Sequence, residues 1–479
     1  VIAPVLPAGF VPAAPALAAL LVAVRIVRGD APVARLTAGA AGVALLAAAV
    51  RCATDPLGGF IALAVAAIAL IVAGYAARAI SGSSIPFARF FALIATATAG
   101  ALTAAVASDL RVLAAGWIVT GLATSGLLDV APRAAARRWA RRHLLAERGG
   151  DVAWIAILAI AWHAYGTFDL TAIGRAAAAG SAPLGLALAI VAAGAIRSAL
   201  VPLHGWLPNS MEAPTPVSAF MHAGVVNGAG VLFAKTAFVL AAAPDALGVA
   251  ALLGGATAVT GALVALVRPE AKRRLGWSTV AQMGFMVLQC GCGAFAAAVV
   301  HLAAHGGYKS TAFLGVGGSI DEHKAARLIP DVRVRLGRTA RAGWSVVPPT
   351  IGVLAAALLL GSRLAALPAA GMIVAVAWAA GVCAARGGAE RAPDRASRLT
   401  VAAAIGASVA VYLLVVAGLD GWLGAQLPRF TLMPAATIVA VVAVAAGLIA
   451  GLGLRLPHSD ALYAVALGEG RAPASVPLA

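Results

Sequence analysis

Runs of about 20 mainly apolar residues follow one another along almost the whole chain, and that length matches the hydrocarbon core of a bilayer. In such a solvent every backbone N–H and C=O must be satisfied within the protein, so the runs read as helices. They lie at 11–27, 33–50, 58–78, 87–107, 110–130, 152–167, 182–205, 215–241, 246–267, 275–293, 295–319, 345–362, 368–385, 399–418 and 433–453. The expected fold class is an all-α polytopic membrane protein with about 15 transmembrane helices. Composition points the same way. Of the 479 residues, 62% are hydrophobic and 11% charged, against roughly 45–50% and 25% in soluble domains. Abundant Ala and Gly suit helices packed closely on one another in a bilayer.

The net charge is +17, from 35 Lys and Arg against 18 Asp and Glu. This does not indicate nucleic acid, because no basic face interleaved with aromatics is present. The basic residues instead sit in short clusters between apolar runs. Arg25, Arg28 and Arg35 follow the first run, and Arg78 and Arg89 the third. Arg133, Arg137, Arg138, Arg141, Arg142 and Arg148 follow the fifth. Further clusters follow the ninth, eleventh and thirteenth. Each follows an odd-numbered run, so those loops are expected in the cytoplasm and the N-terminus outside. With no charged region before it, the first run is expected to be a retained span. Residues 131–151 look like a basic amphipathic helix at the cytoplasmic surface, and 320–344 form a loop of mixed charge. Both are candidate surfaces for lipid headgroups or a soluble partner, or orientation signals only.

One stretch breaks the apolar pattern. Residues 197–230 read RSALVPLHGWLPNSMEAPTPVSAFMHAGVVNGAG. Pro202, Pro208, Pro214 and Pro216 cannot sit in an unbroken helix, since each removes a donor and clashes with the preceding turn. The helix from 182 should therefore break, and a new one should begin near Pro214. Broken helices at membrane depth line wet cavities or lie buried in protein, and they mark ion or substrate sites in transporters. Arg197 and His222 fall within the half-helices, with Lys235 thirteen residues beyond His222 on the same expected helix. Glu212, beside the break, is the main acid expected at membrane depth.

A second constellation is His301, His305 and Lys309, spaced i, i+4, i+8 on one helix face. Stacked titratable groups suit a proton path, because imidazole accepts and donates. The alternative is two core histidines bonded to backbone carbonyls. HLAAH lacks the glutamate of HExxH and a third ligand, so no metal is expected. Ser278, Thr279 and Gln282, after the basic run at 268–274, are expected to bond across helices. Cys52, Cys290, Cys292 and Cys383 form no CxxC pair and read as small hydrophobes. No nucleophile elbow, P-loop or dinucleotide fingerprint is present, so an enzyme and a bound cofactor are not expected.

PLHGWLPNSMEAPTPVSAFMHAG at 202–224, KRRLGWSTVAQMGFM at 272–286 and HLAAHGGYKSTAFL at 301–314 resemble the signatures of the proton-translocating antiporter-like subunits of respiratory complex I and Mrp-type antiporters. The resemblance implies two inverted five-helix repeats, at 87–241 and 246–385, between N-terminal helices at 1–86 and a C-terminal region at 386–479. Each repeat would hold one broken helix, near Pro202 and near Pro348 and Pro349. Three positions depart from the family. Ile118 stands where a WEL glutamate is usual, Arg197 where a lysine is usual, and Arg363 in place of the second lysine, without its following acid. Arginine does not readily lose a proton, so a lysine switch does not carry over unchanged.

GWIVTGLATSGLLDVAP at 116–132, RRHLLAERGGD at 141–151, MEAPTPVSAFMHAGVVN at 211–227 and STVAQMGFMVLQCGCGAF at 278–295 are similar to the DabB subunits of DAB inorganic-carbon transporters. On length the chain is expected to fall in that group too, without the long lateral helix of the large complex I subunit. This resemblance implies an ion-conducting subunit, for H+ or Na+, in a two-component system that accumulates inorganic carbon. Its partner would be a DabA-type subunit carrying a zinc site like that of β-carbonic anhydrase, where CO2 would be hydrated to bicarbonate. His222, Lys235, His301, His305 and Lys309 are the expected ion path, with Arg197, Glu212 and Arg363 at the helix breaks. The alternatives are an antiporter-like subunit of a quinone-linked or Mrp complex, and a scaffold that only anchors a soluble enzyme.

Overall fold

Aspartates start several of the helices. Asp55, Asp109, Asp169 and Asp394 each accept a hydrogen bond from a backbone N–H two or three residues on, at 2.6–2.9 Å, which satisfies a donor that the first turn leaves open. The computed structural model describes residues 7–208, 210, 213–268, 270–326, 336–392 and 394–429, with backbone only at 317–326, 338 and 425. Among these residues the fold is helical, with one isolated bridge between Asp109 and Asp169.

The first five helices are α1 (Phe10–Ala23), α2 (Asp30–Arg51), α3 (Pro56–Ala79), α4 (Phe87–Val106) and α5 (Leu110–Leu128). Then come α6 (Ala134–Tyr165), α7 (Leu170–Ala179) and α8 (Leu184–Arg197). After the proline-rich segment the chain forms α9 (Thr215–Ala223), α10 (Gly228–Lys235) and α11 (Ala237–Ala241). The second half holds α12 (Pro244–Val267), α13 (Ala271–Gly291), α14 (Phe295–Ala326), α15 (Arg338–Leu360), α16 (Ser362–Ala365), α17 (Ala370–Arg391) and α18 (Arg395–Leu423). Nine spans among the described residues are long and apolar enough to cross a membrane, one of them being Thr215–Lys235, and α1 and α8 are shorter apolar helices. The expected total of about 15 exceeds that number. The run at 433–453 lies outside the described residues.

Small residues set the closest helix pairs. A Cβ at Gly254 of α12 would lie 2.5 Å from the backbone N of Leu288, and one at Gly284 of α13 would lie 2.4 Å from that of Ala258. Gly261 and Gly291 repeat the arrangement seven residues further along each helix. Backbones can approach this closely only where no side chain intervenes, and dispersion over such contacts is what holds helices together in lipid.

The structure changes three local expectations. Residues 131–151 do not form a separate surface helix, because α6 runs unbroken from the basic segment through the following span. Its buried residues Ala136, Ala140, His143, Glu147, Gly150, Trp154, Ile157 and Ala161 form one stripe at helical spacing. His222 and Lys235 do not share one continuous helix, because a tight 3₁₀ turn at Val225–Asn227 separates α9 from α10. Pro348 and Pro349 lie inside α15 rather than at a break. Hydroxyls close by, with Ser345 bonded to the Arg341 carbonyl and Thr350 to that of Val346, show how side chains engage helix carbonyls around such prolines. The chain breaks instead at Gly361, whose φ of 54° favours glycine.

Candidate functional site

The polar groups that the sequence scatters over at least seven helices collect into three clusters. The first lies where α8 ends. Its last residue, Arg197, is 3% exposed and meets Glu147 of α6, itself 2% exposed, at 2.6 Å. The guanidinium also donates to the Trp117 carbonyl of α5 at 2.8 Å and lies 4.2 Å from the centre of that tryptophan's indole. Glycines clear the space. A Cβ at Gly121 would come 2.5 Å from Oε2 of Glu147, and one at Gly228 would collide with the Arg197 side chain. His143, one turn before Glu147, completes the group. Its Nδ1 is 2.8 Å from the Ser125 hydroxyl, and its Nε2 is 3.7 Å from Oε1 of Glu147.

The acid facing Arg197 is therefore present, supplied by α6 and not by α5. Ile118, where the resemblance puts the family's glutamate, is not the source of this charge, which Glu147 supplies. A buried arginine needs such a partner, since an unpaired charge in this setting costs several kcal/mol, of order 3–5. Glu212, expected as the main membrane-depth acid, lies outside the described residues.

The second cluster joins α9, α13 and α14. His222, fully buried, stacks on Phe313 with ring centres 4.6 Å apart. A Cβ at Gly306 of α14 would lie 3.1 Å from the Ala223 carbonyl, so the two helices touch beside His305. His301 and His305 have ring centres 5.9 Å apart, and Nδ1 of His301 is 2.9 Å from Oε1 of Gln289. Lys309 donates to the Ser278 hydroxyl at 2.5 Å and to the Leu275 carbonyl at 3.0 Å. Among the described residues both ring nitrogens of His222 and His305, and Nε2 of His301, lack a hydrogen-bond partner. The two histidines are thus not simply tied to carbonyls. Buried imidazoles with open nitrogens are suited to taking up and passing on protons.

The third cluster lies at the far end of α10. Lys235 is 3.8 Å from Asp55 and donates to the Ala107 carbonyl at 3.2 Å. Asp55 also faces Arg51 at 3.8 Å and accepts from Gln426 at 3.3 Å. Two cavities adjoin this system. One of about 50 Å³ is bordered by Trp117, Thr120, Arg197, Phe220 and Gly224. Another of about 620 Å³ opens beside His301, His305, Tyr308 and Tyr412. Arg363 joins none of the clusters. It is exposed at α16, just after the Gly361 break, so its expected place on the path is not supported.

Sequence inspection missed Glu147, His143, Asp55 and Gln289. For His143 and Glu147 a signal existed, since both fall on the apolar stripe of α6, but five arginines around them masked it. Gln289 is also legible in retrospect, at seven-residue spacing from Leu275 and Gln282. Asp55 carries no such signal, because its partner comes from a helix 180 positions away. Ser278 was expected to bond across helices, and it accepts from Lys309. Among the described residues no group of three or more His, Cys, Asp or Glu converges as a metal site would.

The fold is helical, with membrane-length spans and a buried ion pair at the break after α8. Residues 107–377, over half the chain, match the family described as NADH:quinone oxidoreductase/Mrp antiporter, TM, and the chain belongs to that family. Within it, the chain is similar to the probable inorganic carbon transporter subunit DabB1 of Halothiobacillus neapolitanus, 38% identical over 58% of this chain and 51% of the relative. DabB2 of the same organism is 33% identical over 71% of this chain and 62% of its own length. The chain thus spans between about half and two thirds of the length of those curated relatives. The organellar chromatophore NAD(P)H-quinone oxidoreductase subunit 5 of Paulinella chromatophora is 32% identical over 56% of this chain and 41% of that relative. The Mrp complex of Dietzia sp. DQ12-45-1b shares the fold, with a TM-score of 0.59 at 22% identity over 97% of this chain and 55% of the other.

Proposed function

We propose that this chain is the ion-conducting subunit of a two-component, cation-gradient-driven system for accumulating inorganic carbon in a bacterial inner membrane. The observation that carries the conduction part is the set of buried imidazoles with open nitrogens beside Lys309. Such groups cost stability, and that cost marks them as functional. His222, His301, His305, Lys309 and Lys235 line that path, and the Glu147–Arg197 pair sets the field at the helix break. Lone imidazoles and a lysine exchange protons readily, which favours H+ over Na+. The carbon part rests on similarity to DabB subunits. On this reading the partner is a DabA-type subunit that holds zinc and performs the hydration, with this chain N-terminus outside and its basic loops turned to that partner.

Two experiments test this. Tagged chain is purified from its native membrane and the co-purifying proteins are identified. A zinc-containing partner supports the carbon reading, and a set of quinone-reductase subunits overturns it. The complex is then reconstituted in vesicles under a pH or Na+ gradient. Loss of ion flux in His301→Ala and His305→Ala, with assembly intact, supports conduction. Unchanged flux would make the chain a scaffold.

A further inference from the structure

A switch built on lysine cannot operate at Arg197. Guanidinium keeps its proton under all conditions a cell offers, so the pair with Glu147 opens only from the carboxylate side. The surroundings of His143 bear on how. The Ser125 hydroxyl is 2.9 Å from the Gly121 carbonyl and 2.8 Å from Nδ1 of His143. A carbonyl only accepts, so the hydroxyl proton is directed to Gly121 and the Ser125 oxygen accepts Nδ1–H. Neutral His143 then carries its lone pair on Nε2. That nitrogen faces Oε1 of Glu147 at 3.7 Å, and neither atom has a hydrogen-bond partner among the described residues. Two buried acceptors that face each other are satisfied only by a shared proton.

We propose that His143 passes a proton to Glu147, and that protonation of this carboxylate releases Arg197 from the pair. The inference rests on the proton-conducting form of the function proposed above. In the step, imidazolium loses the proton on Nε2 and Oε1 gains it. The N–H bond breaks, the O–H bond forms, and the ring keeps its Nδ1–H. Glu147 becomes neutral, and Arg197 is left with the Trp117 carbonyl and indole face. Return of the guanidinium favours the ionised acid again, so the proton departs on the side of the cavity bordered by Thr120 and Arg197. The groups facing this exchange are Arg197, Ser125, the edge of Trp206, and Arg148 and Asp151 on the same helix. The contact of 3.7 Å is a small side-chain shift from the roughly 2.6–3.2 Å that transfer requires.

The test is infrared difference spectroscopy of the full chain in lipid vesicles after a pH jump. A protonated-carboxyl band that vanishes in Glu147→Gln identifies the group. In His143→Gln, which keeps an amide near Ser125 but cannot relay a proton, that band should rise roughly a hundredfold more slowly. Ser125→Ala leaves every charge in place and frees the imidazole tautomer, so it too should slow the rise. A wild-type rate in both variants, or no band assignable to Glu147, overturns the proposal. If the band depends on His143 but wild-type vesicles carry no proton current, conduction fails and this exchange stands.

Discussion

Removing one member of the Glu147–Arg197 pair has a cost that follows from its burial. Glu147→Gln leaves a guanidinium that is 3% exposed without its counter-charge. Two unit charges about 4 Å apart attract by about 4 kcal/mol at an effective dielectric of 20. Breaking a buried pair on one side costs about 3–5 kcal/mol. The Trp117 carbonyl and indole do not soften this, since Arg197 already uses both in the intact protein. Each of Glu147→Gln and Arg197→Gln should therefore destabilise by about 3–4 kcal/mol. The double variant removes both charges and should cost far less than the sum, with a coupling of about 3 kcal/mol. Unfolding in SDS titrations, followed by tryptophan fluorescence, measures all four proteins. Single variants within about 0.5 kcal/mol of the parent, or strictly additive losses, would refute the claim that these charges are buried against each other.

Other outcomes follow from the same geometry. Gly284→Val should lose about 3 kcal/mol or more and most monodisperse protein in size-exclusion profiles, because its Cβ would strike the Ala258 backbone. Gly248→Val on α12, with nothing within 4 Å of its added Cβ, should behave like the parent. Lys309→Arg should abolish ion flux in vesicles while keeping the charge, since arginine holds its proton; retained flux would argue that Lys309 only anchors α14 to α13. Arg363→Ala should leave both flux and stability within about 0.5 kcal/mol of the parent, as expected of an exposed side chain away from the clusters. A glutamate at position 118 in the Glu147→Gln background should regain part of the lost stability if α5 can still present an acid to Arg197, which SDS titration would reveal.

Much of the architecture was legible because bilayer physics writes it into the chain. Apolar runs marked several of the helices to within a few residues, as for α3, expected at 58–78 and found at Pro56–Ala79. The prolines around 202–216 marked the first break, and α9 begins at Thr215 as the proline pattern implied. The i, i+4, i+8 spacing put His301, His305 and Lys309 on one face. The failures are as physical. Pro348 and Pro349 suggested a break, yet α15 runs through both. The basic segment that opens α6 looked like a surface helix because of its clustered arginines, although its buried stripe continued without interruption.

The residue list by itself determined the solvent, the class of fold, the broken helix and the row of titratable groups on α14. These are properties of single segments, set by length, hydropathy and backbone chemistry. Only the tertiary structure decided who faces whom. It supplied Arg197 with Glu147 from a helix fifty residues away, gave His301 a partner in Gln289, and bound Lys235 to Asp55 across the bundle. The physical reason is that a buried charge is tolerated by whichever counter-charge reaches it in space. Packing sets that choice, so the position of the acid cannot be read from the helix that carries the arginine.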